Sequence, residues 1–247
     1  MSGAHGMSER IRAQALHSAA LVRNARLEEG INPGGLYSAQ CWRPTPARLD
    51  EYVALRDRQN FLVRTNLPTF HVAELLSIRI RLAEIPQELV WDDTFHNTVV
   101  TEGKNAILTH FLKGSTYTAS QVLGLIEDTG YSAIAAGNTA ANITAAGGGS
   151  PTNGWNEAQS STCAARQTPS FGTASSGSLA ASATSHSILA TDVIKGAFLL
   201  ARSTAGTAPS TTVGNTNGAL YSAGLFSGGD KSVANGDTLS VTYTASA

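Results

Sequence analysis

The sequence predicts a mainly β fold: an antiparallel β-sandwich or jelly-roll-like module with an N-terminal helical arm and a helix-containing insertion. Three observations lead there. From Ser115 onward, short β-capable runs alternate with clusters of Gly, Ser, Thr and Asn, the spacing of an all-β module. Leu239, Val241 and Tyr243 alternate with Thr238, Ser240, Thr242 and Thr244, which makes one buried and one wet strand face. Charge is uneven as well. Of the 35 Asp, Glu, Lys and Arg residues, 25 fall in the first 114 positions, so two regions do different jobs.

Taken in order, Ser8 caps a helical pattern whose apolar stripe is Ile11, Leu16, Ala19, Ala20 and Val22; Asn32-Pro33-Gly34-Gly35 stops it. The stripe is thin, so this helix needs another surface to lie against. Residues 1–34 are therefore expected to form an arm, and 35–247 the β module, with an insertion at 44–87. Leu36 to Trp42 reads as a strand ended by Pro44 and Pro46, and Arg48 to Arg58 as a helix. Leu76, Ile78, Ile80 and Leu82 alternate with Ser77, Arg79 and Arg81, which predicts a half-buried strand with the two arginines on a solvated face. Leu89 to Phe95 is another strand, and Thr101 to Lys113 a helix ended by Gly114.

Later strands are expected at 121–127, 166–173, 178–188, 193–202, 220–226 and 237–244. Leu123, Leu125, Phe198, Leu239, Val241 and Tyr243 should share the core. Asn235-Gly236 has the residue types of a type I′ hairpin turn, and Gly228-Gly229-Asp230 reads as a second hairpin turn. Gly147–Pro151 and Ala205–Gly218 read as loops between strands.

A net charge of −1 gives no electrostatic reason to expect nucleic acid or an acidic membrane as partner. No apolar run approaches the ~20 residues of a membrane span, and Met1 to Arg10 lack the apolar region of a signal peptide. Synthesis and folding in a cytoplasm are the expectation. Cys41 and Cys163 have no metal or redox spacing and read as two buried thiols.

The search for catalytic, cofactor-binding or metal-ligating residues yields none. His5, His17, His71, His96, His110 and His186 are too far apart in sequence for a local metal pair. Asp92-Asp93 is an adjacent acidic pair, but strand neighbours point to opposite faces, so the carboxylates should not converge. No nucleophile elbow, P-loop or dinucleotide fingerprint is present. Trp155 offers a stacking platform for a glycan, or else packs into the sandwich edge; the second reading is preferred.

Several stretches carry a likeness: Gly35 to Cys41, Leu89 to Asn105, Ala135 to Thr139, Gly154 to Glu157, Val193 to Phe198, and Ser222 to Leu239. In this order they make the chain resemble a family of tailed-bacteriophage virion proteins, head-associated or tail-associated, over about residues 35–43 and 88–247. Residues 8–30 and 44–87 depart from the family as charged additions. The resemblance implies a non-enzymatic virion component assembled in the host cytoplasm. A capsid decoration or cement protein comes first, held to the major capsid protein or neighbouring virion proteins by its sandwich and arm. A homo-oligomer is expected, with a trimer favoured by analogy with decoration proteins on local threefold positions. The alternative is a tail fibre, baseplate or other tail-associated protein that binds a host glycan.

Overall fold

A computed structural model describes residues 34–64, 72–112, 120–129, 133–144, 155–159 and 161–246. The helix expected between Ser8 and Glu29 lies outside them, as does the whole Gly147–Pro151 loop. Gly34–Ser246 forms a compact unit of its own.

Strands β1 (Gly34–Pro44) and β12 (Thr238–Ser246) pair antiparallel along their length, so the first and last strands of the unit are neighbours. Both alternate, β12 as the sequence predicts. Tyr37, Ala39 and Cys41 stand opposite Tyr243, Val241 and Leu239, and all six are buried. β2 (Gln87–His96) lines the other edge of β1, while β7 (Ser178–Ala180) and β8 (Thr184–Ser187) pair with β12.

The second sheet is built on β9 (Asp192–Ala201), which pairs with β4 (Gln121–Glu127), β10 (Ala219–Leu225) and β11 (Lys231–Val233); β3 (Thr98–Val99) pairs with β10. A short parallel pair, β5 (Ile143–Thr144) and β6 (Trp155–Asn156), stands apart. The fold is a sandwich of two antiparallel sheets with a helical insertion.

The inner faces meet in a core of Tyr37, Phe95, Leu123, Leu125, Ile194, Leu199, Leu239, Val241 and Tyr243. Tyr37 Oη lies 2.9 Å from Ser222 Oγ, a hydrogen bond that ties one sheet to the other. The second sheet is covered on its outer face too. There Val122, Ile126, Phe198, Leu200 and Leu220 pack with Ala140 and Trp155. Phe198 is thus buried as expected, but in this second cluster rather than between the sheets. Helix α3 (Thr101–Leu112) runs along β10, and Gly103 permits the approach: a Cβ there would overlap the Tyr221 backbone.

Several local expectations are corrected. Residues 75–82 are not a strand: helices α1 (Leu49–Arg64) and α2 (Val72–Glu84) fill the insertion between β1 and β2. Residues 166–173 contribute only isolated bridges at Gln167 and Phe171. Neither glycine turn makes a hairpin. β10 and β11 both pair with β9, and the chain after β11 crosses to the other sheet to become β12. Only Gly236 of Asn235-Gly236 has positive φ (96°), whereas a type I′ turn needs it at both residues. Asp237 holds this crossing. Its carboxylate accepts from Arg43 Nε (2.6 Å) and Nη2 (2.7 Å) on β1 and from the Ala234 N–H (2.8 Å).

Candidate interaction surface

The insertion is closed at its base by the Thr45 N–H donating to the Pro86 carbonyl at 3.1 Å. The first half of α1 is rooted in the sandwich. Arg56 Nη1 donates to the Ile188 carbonyl (2.7 Å) and Nη2 to Asn235 Oδ1 (3.0 Å), and Tyr52 Oη lies 3.3 Å from Thr238 Oγ1. Gly236 leaves room for Leu49, whose Cδ1 would lie 2.8 Å from an added Cβ. α2 folds back along α1, joined by ion pairs from Arg58 to Glu74 (2.8 Å) and from Arg81 to Glu51 (2.9 Å). Those two pairs are largely exposed, so they add register rather than much stability.

α2 carries apolar residues on two faces. Leu75, Ile78 and Leu82, at i, i+3 and i+7, are half-buried or buried. Val72, Leu76 and Ile80, at i, i+4 and i+8, form a second stripe and are 62%, 59% and 52% exposed. On α1, Phe61 and Val63 are 53% and 60% exposed. Scattered exposed apolar residues are ordinary, but a stripe spaced along one helix face marks a contact surface. The reading of 75–82 as a strand hid this face. The signal that finds it is the Val72, Leu76, Ile80 spacing.

The adjacent carboxylates of Asp92 and Asp93 do not converge. Asp92 is exposed, while Asp93 is turned inward and held by the Ser227 hydroxyl, the Gly228 N–H (3.0 Å) and Lys231 Nζ (3.2 Å). Burial pushes the Asp93 carboxyl up, but these three partners outweigh it and leave it below the usual carboxylate range. His186 is fully buried, and burial lowers its pKa to about 3. Its Nδ1 lies 3.4 Å from Cys163 Sγ. Cys41 and Cys163 are free and buried. Burial, with Asp237 adding to it, raises Cys41 to about 12, and burial raises Cys163 to about 12. Neither thiol is a nucleophile near neutral pH.

Trp155 is fully buried and packs at a tilt against Phe198, 6.0 Å between ring centres, which removes it as a platform for a glycan. Among the described residues, no group of three or more His, Cys, Asp or Glu side chains is placed to hold a metal ion. No helix among them is long and apolar enough to cross a membrane. Arg79, expected on a solvated face, is exposed; Arg81 is exposed and paired with Glu51. Comparison with protein-family models, with curated proteins and with solved structures gives no match to this chain.

Proposed function

We propose that this chain is a structural component of a bacteriophage virion, a capsid decoration or cement protein that attaches to the head shell through its helical insertion. The observation that carries this reading is the stripe of Val72, Leu76 and Ile80, unburied on an element that the sandwich roots firmly at one end. An exposed apolar helix face on an insertion anchored to the sandwich suits attachment to a neighbouring protein. Repeated around a symmetric shell, modest contacts of this kind add up to tight binding.

The sandwich offers its own support. Strand β12 turns Thr238, Ser240, Thr242 and Thr244, all small hydroxyl side chains, away from the core, and Ser38 of β1 stands opposite Thr242. The N-terminal arm, residues 1–34, belongs to the same proposal as a second attachment segment, and the assembled form is a homo-oligomer, with a trimer favoured. The proposed partners are the major capsid protein or its neighbours on the particle, with no enzymatic role and no part for nucleic acid or membrane. The proposed location is the virion, reached by assembly in the host cytoplasm.

The test is a map of the intact particle from the phage that encodes the chain, with the chain located by a label. Label on the head shell supports decoration. Label confined to the tail, or no chain in purified particles, overturns it.

A further inference from the structure

β8 is only four residues long and pairs with β12 alone among the described strands. Its Thr184 and His186 turn inward, while Ser185 and Ser187 are exposed. His186 is fully buried there, opposite Leu239. A buried imidazole is ordinary when both ring nitrogens have partners. Here Nδ1 has Cys163 Sγ at 3.4 Å, and no described group reaches Nε2. Either neutral tautomer leaves Nε2 unsatisfied, as a bare lone pair or as an unshared N–H. The void that His186 shares with Cys163 and Glu157 is too small for a water molecule.

A proton added to this ring finds no acceptor. The imidazolium has two N–H donors, and the charged or titratable groups that face it are Cys163, Glu157 and Arg166. Cys163 Sγ, a weak acceptor, also reaches the Ala165 carbonyl at 3.4 Å. Glu157 is committed to Arg166 through two bonds, and its Oε2 also accepts the Gly214 N–H, so that pair offers no net negative charge. β4 contributes only Gly124 and Leu125 to this lining, and β12 sets Leu239 beside the ring. Burial therefore lowers the His186 pKa to about 3, against about 6.5 in an unfolded chain. Between those values a released strand takes up a proton that the closed strand excludes. Closure is fully supported above about pH 6.5 and loses support as pH falls toward the folded value.

We propose that His186 is an acid-sensitive latch, whose protonation releases β8 from β12 and frees the root of the insertion. The link to the insertion is Ile188, two residues on. Its carbonyl accepts from Arg56 Nη1 of α1 (2.7 Å) and from the Gly236 N–H (3.0 Å), and its N–H donates to the Asp237 carbonyl (2.9 Å). Ile188 also bridges to Cys163, so release of this segment uncovers that thiol. Cys41 lies on β1, flanked by both β2 and β12, and stays covered. The latch is a property of the chain itself and does not rest on the capsid reading.

The experiment follows each thiol of the full chain with dithiodipyridine, which labels thiols in acid as well as at neutral pH, between about pH 7 and pH 4. Each rate is divided by that of glutathione at the same pH, and the labelled cysteine is identified by peptide mass. The expected result is a Cys163 rate that rises about tenfold per pH unit below about pH 6, because release takes up one proton, with Cys41 unlabelled on that timescale. His186→Phe, which has no site for the proton, should hold the Cys163 rate constant within about threefold across the range; His186→Gln gives the same comparison if the larger ring does not fit. A flat Cys163 profile in the wild-type chain would overturn the proposal. So would a rise shared equally by Cys41, which is general acid unfolding, or a rise that survives substitution of His186. The two thiols of the wild-type chain decide between latch and general unfolding whether or not a variant folds.

Discussion

Arg166 and Glu157 form a two-bond ion pair, Nε to Oε1 and Nη2 to Oε2 at 2.7 Å each, with both side chains almost wholly out of solvent. The pair also holds down the loop after β9. Arg166 Nη1 donates to the Ser210 carbonyl (3.1 Å), and Glu157 Oε2 accepts the Gly214 N–H (2.7 Å). Removing one partner leaves the other charge buried alone, so Glu157→Ala or Arg166→Ala should each cost about 3–5 kcal/mol. The double substitution should cost much less than the sum. Urea melts of the three variants check this; additive losses would mean that the two residues act separately.

Glu127 gives a pH dependence with a defined sign. Burial, with Asp192 and then Asp128 adding repulsion, raises its carboxyl to about 7, above the unfolded value of roughly 4.3. Between those values the folded state holds more protons than the unfolded state, so this group's contribution is full below the unfolded value and is lost as pH rises through 7. Glu127→Gln should therefore gain stability relative to wild type between pH 5 and pH 8. Thermal melts at both pH values measure it, and a difference that stays constant would refute it. Asp93 acts in the other direction: its depressed carboxyl supports the fold above the unfolded value and loses that support as pH falls through the folded one.

Gly103→Ala separates helix propensity from packing. In an exposed helix interior, Ala is better than Gly by roughly 0.5–1 kcal/mol. At Gly103 the added Cβ would meet the Tyr221 backbone, so α3 must move off β10. A net loss of about 1–3 kcal/mol is expected, and a gain in melting temperature would contradict the close approach.

Both thiols should be silent in the native protein. With Cys41 and Cys163 each raised to about 12 by burial, a thiol-specific chromogenic reagent should count none in buffer and two in denaturant. Prompt labelling of either one in buffer would contradict their placement.

Much of the sandwich was legible because its signals are local. Leu239, Val241 and Tyr243 alternate without interruption, and their partners Tyr37, Ala39 and Cys41 do the same on β1. The insertion misleads because the seven-residue apolar alternation from Leu76 to Leu82 fits both periods. Leu76, Ile78, Ile80 and Leu82 suit one strand face, yet on a helix Ile78 turns inward while Leu76 and Ile80 turn outward. The glycine signals around Gly229 and Gly236 mark turns, but turn residues do not say which strand the chain pairs with next. At one end of the sandwich a cavity of about 670 Å³ is lined by Ile107, Gln121, Phe171, Leu179, Leu199 and Arg202, which no stretch of sequence brings together. The Arg166–Glu157 pair was missed for a related reason: both are isolated charges in a charge-poor stretch, and only their depth gives them meaning.

The insertion surface is tested most directly by co-sedimentation of the full chain with phage heads that lack it, comparing wild type with the double variant Leu76→Glu, Ile80→Glu. Both positions are more than half exposed, so the double variant should melt within about 1 kcal/mol of wild type. The predicted result is a folded variant whose binding to the heads is at least a hundredfold weaker. A folded variant that pellets with the heads as tightly as wild type would contradict attachment through α2.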